Sequence, residues 1–197
     1  MNSSWTHFTL DRQNPAYWRV TFNHPPINTI TATTVRELSE LVDWIERDPQ
    51  LNVVVFGSAN PDFFLAHYDV EKTRLVGRGR ALEILLVADD FDGPRAAQYG
   101  YVNRVVADDE LEDEVEEMAA RLARFDREAI ARTKSYVDQI TLPRDSELPP
   151  ALTDFRQAFG GPGPRARLPK LEELGLNSDS DLERHLGRRV VEADPLT

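Results

Sequence analysis

The sequence predicts an α/β fold, a small sheet crossed by one helix and followed by a region that is helical almost to the end. Three observations carry this. Residues 8–56 read strand, strand, helix, strand, the order in which a helix packs across a sheet. Beyond residue 107 the strand patterns stop, and apolar residues recur at helical spacing in successive segments. The composition, 41% hydrophobic and 29% charged, is that of an ordinary globular protein, and 197 residues suffice for one sizeable domain or for a core with a helical appendage. The expected division is an α/β core over 1–107 and a helical C-terminal region over 108–197.

Phe8-Thr9-Leu10 and Tyr17 to Phe22 read as strands joined by a turn-rich segment from Asp11 to Ala16. In the second, Trp18, Val20 and Phe22 alternate with Arg19 and Thr21, the period of a half-buried strand. His24-Pro25-Pro26 ends it, since prolines cannot feed a ladder. Thr34 to Glu37 matches a capping box, ahead of a stripe formed by Val35, Leu38, Leu41, Val42 and Ile45. Asp48-Pro49 closes that helix, and the apolar run Leu51 to Phe56 is expected as a strand covered on both faces.

Arg80 to Val87 and Gly93 to Tyr99 are expected as helices, the second capped by Gly100, and Tyr101 to Val106 as a further short strand. Asp109 and Glu112 open a helix carrying Leu111, Val115, Met118 and Leu122. Asp126 caps the next, with Ile130, Val137 and Ile140. The acidic run Asp108 to Glu117 reads as a solvated face. Leu152, Phe155 and Phe159 form another stripe, Gly160 to Pro164 a linker, Arg165, Arg167 and Lys170 a small basic cluster, and Leu182, Leu186 and Val190 a last helix.

With no cysteine there is no disulfide framework, thiolate nucleophile or cysteine-based metal site, and a cytoplasmic location is the default. A net charge of −11 repels nucleic acid and anionic lipid, so neither is an expected partner. No apolar run reaches the length of a membrane span, and the polar N-terminus lacks a signal-like stretch. His67 and Asp69 could contribute two metal ligands, but no third is evident and no metal site is expected. Ser58, His24 and Asp62 lack the surroundings of a nucleophile elbow. Gly77-Arg78-Gly79-Arg80 lacks the Gly-Lys-Ser/Thr ending of a phosphate loop and reads as a loop entering a helix.

Four stretches, in order, resemble the enoyl-CoA hydratase/isomerase (crotonase) family. They are Pro25-Pro26-Ile27-Asn28 with Arg36 to Leu38; Asp48-Pro49 with Val53 to Gly57; Phe63-Phe64-Leu65-Ala66-His67-Tyr68-Asp69; and Arg74 to Gly77 through Ala81–Leu86 to Ala96–Val106. The resemblance covers roughly residues 5–140 and is most specific in the last stretch. It implies a crotonase-like spiral core, shortened here, and acyl-CoA chemistry of the kind used in fatty acid metabolism. In the family two backbone N–H groups form an oxyanion hole for the thioester carbonyl, where enolate charge develops. By the resemblance the first donor is the backbone N–H of Tyr68, the backbone around Ala66 lies near the adenine of coenzyme A, and Asp69 is a further candidate contact for coenzyme A. His67 stands where the family has glycine, and its side chain either hangs over the pocket or points to solvent. Arg78 and Arg80 are candidate contacts for the phosphates of coenzyme A. The CoA thioester is expected as substrate or ligand, with no permanently bound cofactor.

Only Val70 to Thr73 separates the third stretch from Arg74. In the family several tens of residues lie there, carrying the second oxyanion donor and the groups that move protons. Loss of one donor costs about 10²–10³ in rate, and loss of proton transfer about 10²–10⁴ more. Weak or absent family catalysis follows, whether the chain still binds acyl-CoA or has become a non-catalytic interaction protein. The helical tail implies self-association, as trimers or hexamers in the family.

Overall fold

The computed structural model of the 197-residue chain describes residues 5–65 and 78–193, with the backbone alone for Arg78 and Asp145. The chain divides into two compact units, Met1–Asp69 with Arg104–Lys134, and Val70–Asn103 with Ser135–Thr197.

The first unit is built on a three-stranded sheet in the order β1-β2-β3, with β1 Phe8–Asn14, β2 Tyr17–Phe22 and β3 Val53–Ser58. β1 and β2 pair antiparallel, Phe8 opposite Phe22 and Leu10 opposite Val20, with a slip between Arg12 and Asn14. β1 is longer than the sequence predicts, because the polar residues Asp11 and Arg12 suit an edge strand. Arg12 also holds its guanidinium 4.4 Å from the centre of the Trp18 ring. β3 pairs parallel to β2, Val53 beside Tyr17 and Ser58 beside Phe22. Such a parallel pair requires a crossover, which α1 (Ala32–Arg47) supplies.

The start of α1 differs from the expected register by one turn. Thr31 is the N-cap, and Thr31 and Thr34 bond each other's backbone N–H reciprocally at 3.0 and 3.3 Å. Glu37 is thereby released from capping and is buried. The apolar stripe is also narrower, since Val35 and Val42 are about half exposed. Leu38, Leu41 and Ile45, at i, i+3 and i+7, cover one sheet face with Phe8, Leu10, Val20, Phe22 and Val54, and Leu65 packs against the same core.

Residues on the opposite face of β2 meet α4 (Leu111–Leu122). The Tyr17 hydroxyl donates to Glu116 at 2.8 Å, and Arg19 reaches Glu112 and Glu116, both at 2.7 Å. Arg104 pairs with Glu114. The expected solvated acidic face is thus partly engaged: with three carboxylates in its first turn and a basic strand residue beneath, the helix uses its charges to dock. Asn52 satisfies the carbonyls of Ala123 and Phe125 beyond the end of α4. Asp126 accepts from the Ala129 N–H at 2.8 Å, capping α5 (Arg127–Thr141) as its sequence predicts.

Two strand expectations fail for one reason. β3 is half-buried rather than covered, with Phe56 43% exposed, because only β2 lies beside it. Residues 101–107 form bends and irregular chain in place of the expected strand. A strand without a ladder neighbour leaves its backbone groups unpaired.

In the second unit α2 (Arg78–Leu82) runs into a π-helical turn, Glu83–Val87, that stops at Ala88 with φ +54°. α3 (Gly93–Tyr99) has the predicted bounds, capped by the Asp92 carboxylate and by Gly100 at φ +78°. α6 (Leu148–Phe159) takes Pro149 and Pro150 into its first turn, where the missing N–H groups need no partner. The predicted linker shortens to Gly160-Gly161, because Pro162 starts α7 (Pro162–Glu173). The expected last helix breaks at His185 into α8 (Asp181–Arg184), α9 (Leu186–Arg189) and a 3₁₀ turn, Val190–Ala193. Two contacts fix the break: the Gly187 N–H donates to Asp90 at 3.0 Å, and Arg188 reaches Asp89 at 3.4 Å.

Candidate functional site

β3 ends at Ser58, and the chain then turns through a tight loop to Leu65. Three polar side chains close this loop. Asn60 acts as an Asx turn: its Oδ1 accepts from the N–H groups of Asp62 at 2.8 Å and Phe63 at 3.0 Å, and its Nδ2 donates to the Pro26 carbonyl at 2.8 Å. The Ser58 hydroxyl lies 2.7 Å from the Phe63 carbonyl and 3.0 Å from that of Asn60, and accepts from the Asn60 N–H. With its hydroxyl committed to loop carbonyls, Ser58 is no nucleophile.

Asn28 is the third. It is 2% exposed and sits at φ +55°, the left-handed region that asparagine tolerates better than most residues. Its Oδ1 accepts from the His24 N–H at 2.7 Å, and its own N–H donates to the His24 carbonyl at 2.8 Å. Its Nδ2 faces three oxygens: Ser58 Oγ at 2.9 Å, the Phe64 carbonyl at 3.1 Å and the Phe63 carbonyl at 3.2 Å. Because trans peptides are planar, a carbonyl turned toward Asn28 directs the N–H of the next residue away from it. Asn28 therefore sets two successive peptide planes just before Leu65, and Ala66 follows.

A second polar cluster adjoins the first. The rings of His7 and His24 stack with centroids 3.6 Å apart, His7 Nδ1 lies 2.7 Å from Thr34 Oγ1, and His24 Nδ1 lies 3.2 Å from the Thr29 carbonyl. Burial and the adjacent His24 ring hold the His7 imidazole below its ordinary value, against the opposing pull of Glu37. Burial pushes the Glu37 carboxyl up. The N–H groups of Thr6 and His7, both at 3.0 Å, and the Thr6 hydroxyl at 2.8 Å more than offset this, and its net shift is downward.

Of the residues singled out in the sequence, Ala66, His67, Tyr68 and Asp69 lie outside the described residues. For Arg78 the structure gives a backbone position at the start of α2. Arg80, in the second unit, donates to the Tyr99 carbonyl at 2.9 Å and lies 5.0 Å from the centre of the Tyr99 ring, whose hydroxyl donates to Glu83. Its guanidinium is engaged within this unit. Asn28, Ser58 and Asn60 were not among the predicted site residues. Their signals were available as an asparagine just after Pro25-Pro26 and the turn-forming run Ser58-Ala59-Asn60-Pro61-Asp62. Among the described residues no group of three or more His, Asp or Glu could hold a metal ion, and no helix is long and apolar enough to cross a membrane.

Three comparisons bear on the fold and on the family the chain is similar to. The family model for enoyl-CoA hydratase/isomerase matches residues 72–150. The probable enoyl-CoA hydratases EchA12 of Mycobacterium tuberculosis and Mycobacterium bovis are 41% identical over 61 residues, 31% of this chain and 21% of theirs. The match thus spans about a fifth of the length of these curated relatives. Among solved structures, a Streptomyces avermitilis chain provisionally classed as an enoyl-CoA hydratase superposes with a TM-score of 0.90 and 25% identity, over 97% of this chain and 98% of that one. An enoyl-CoA hydratase from Bacillus anthracis superposes at 0.64 with 15% identity, over 85% and 96%, a likeness of fold. The α/β fold read from the sequence is accordingly of the crotonase type, and over residues 72–150 the chain matches the enoyl-CoA hydratase/isomerase family.

Proposed function

We propose that this protein binds an acyl-CoA thioester beside the loop that follows β3, and that it catalyses the family's hydration or isomerisation weakly or not at all. The observation that supports the reading most directly is the buried amide of Asn28 turned onto the Phe63 and Phe64 carbonyls. A buried donor spent on loop carbonyls holds the chain leading into Ala66 and Tyr68, whose backbone is proposed to meet the nucleotide and the thioester oxygen. The low activity follows from the short join at Val70 to Thr73, which leaves no sequence match for a second oxyanion donor or a proton-moving group. No group in the join has an assigned role in proton transfer. The proposed location is the cytoplasm, in keeping with a chain free of cysteine.

A second reading, a non-catalytic assembly protein, is supported by the apolar surface of the second unit: Ile140 is 87% exposed, Leu86 77% and Phe159 66%. Calorimetric titration with acetyl-CoA, together with an assay for hydration of crotonyl-CoA, separates the two. Saturable binding with turnover far below that of a full-length hydratase is the expected result. Absence of binding in a folded, self-associated protein would leave the assembly reading, and full hydratase turnover would overturn the proposed impairment.

A further inference from the structure

We infer that the stacked rings of His7 and His24 form an acid-opened clasp, which holds Trp5 to His7 on the first unit at neutral pH and releases them on acidification. The clasp stands apart from the proposed acyl-CoA site. Its two rings come from different segments, His7 just ahead of β1 and His24 just beyond β2, and they lie 3.6 Å apart at an interplanar angle of 14°. Each Nδ1 is already in use, on Thr34 Oγ1 at 2.7 Å and on the Thr29 carbonyl at 3.2 Å, so neither ring swings away without giving up a bond. The strap that the clasp closes is short and docked at several points. Glu37 of α1 accepts from the N–H groups of Thr6 and His7 and from the Thr6 hydroxyl. Trp5 lies against Phe8 and Trp44, with ring centroids at 4.8 and 4.9 Å, and its indole N–H donates to Glu40 at 3.1 Å. The His7 carbonyl takes the Asn23 N–H at 2.9 Å.

The charges around the pair make it sensitive to acid. Neutral imidazoles stack without electrostatic cost, whereas two imidazolium ions at this spacing repel strongly. The groups that face His7 are His24 from the turn after β2 and, from α1, Arg36 and Glu37. Burial, His24 and Arg36 oppose a proton on His7, Glu37 favours it, and the balance holds His7 below its ordinary 6.5. Glu37 offsets the charge of one imidazolium, so the pair tolerates a single proton and resists the second. In the released strap both rings titrate freely, and protons therefore favour release as the pH falls below about 6.5. Glu37 is itself held below its ordinary 4.5 and stays ionised at about pH 5.5, so its bonds to Thr6 and His7 are not what changes in this range. Release takes Trp5 off Phe8, which is otherwise 2% exposed.

Amide exchange of the 197-residue protein at about pH 7.5 and 5.5, expressed as protection factors, tests the clasp. Thr6, His7 and Asn23 are expected to be less protected than the β2 amides from Trp18 to Thr21, and to lose about fivefold in protection at the lower pH, the factor for a proton bound one pH unit late. Equal protection at both pH values overturns the clasp. So does protection equal to that of β2 at pH 5.5, since these amides would then open only when the whole unit unfolds. His24→Phe keeps a flat ring against His7 and removes the second charge, and it is expected to reduce the loss to about twofold, whereas an undiminished loss overturns the role of the pair. A wild-type measurement decides if that variant does not fold. Ring-proton titration of His7 and His24 by NMR is expected to show two steps separated by about one pH unit or more, and two independent steps at the ordinary histidine value would overturn the inference.

Discussion

Glu37 is the residue on which sequence and structure differ most instructively. Its spacing from Thr34 is that of a capping box, but a nearer threonine takes the cap, and the carboxylate serves the chain at Thr6 and His7. Local pattern finds a helix start to within a turn, and the partner brought in by tertiary structure decides which of two hydroxyls caps it. Glu37→Gln leaves an N–H group facing backbone donors and is expected to destabilise the first unit by about 1.5–3 kcal/mol in urea melts followed by tryptophan fluorescence.

The same cluster gives a pH dependence. His7 is held below its ordinary value of 6.5, so the unfolded chain binds more protons near that pH. Stability is then fully present above about pH 6.5 and is lost as pH falls below it. Glu37 is shifted below its ordinary 4.5, which adds a loss of the same sign at lower pH. His24 stacks on His7, and Arg36 also opposes its protonation. Unfolding free energies from pH 7 to 5 should fall for wild type and flatten for His7→Gln. An equal slope in the two proteins would contradict the assignment.

At the scale of elements, periodicity and caps carried far. β2, α1, β3, α3, α4, α5 and α6 all stand close to where alternation, stripes and capping residues place them. The misses share a physical cause, since each depends on a neighbour that the local sequence does not name. Residues 101–107 are apolar enough for a strand but have no ladder to join. The last predicted helix is broken at His185, just before Gly187 docks on the turn at Ala88 to Asp90. That docking explains the glycine. A Cβ at Gly187 would lie 2.4 Å from the Ala88 carbonyl and 2.7 Å from the Asp90 carboxylate. Gly187→Ala is expected to destabilise this contact by about 1–3 kcal/mol, read as loss of amide protection at Asp90, Gly187 and Arg188, with the first unit unaffected. The candidate site was half legible. The motif reading reached Asn28 and Phe63 to Asp69, while the amide network between them became visible only when residues 28 and 58–64 were brought together in space.

At the scale of the whole molecule, the second unit leaves its apolar stripes open, with Tyr136, Ile140, Phe155 and Phe159 each at least half exposed. Such surfaces on a chain of net charge −11 are the basis of the proposed self-association. Light scattering after size exclusion should give a mass well above that of one chain. Ile140→Glu with Phe159→Glu should shift it toward the monomer, whereas a monomeric wild type would remove this part of the proposal.

The central claim is that a folded acyl-CoA site exists in this chain, and the most direct test is a series of thermal melts of the 197-residue protein over increasing acetyl-CoA. A single cooperative transition whose midpoint climbs with ligand concentration, by about 2.7 kcal/mol of added stability at a hundredfold excess over Kd, is the predicted result. A cooperative melt at the same temperature at every concentration would contradict it.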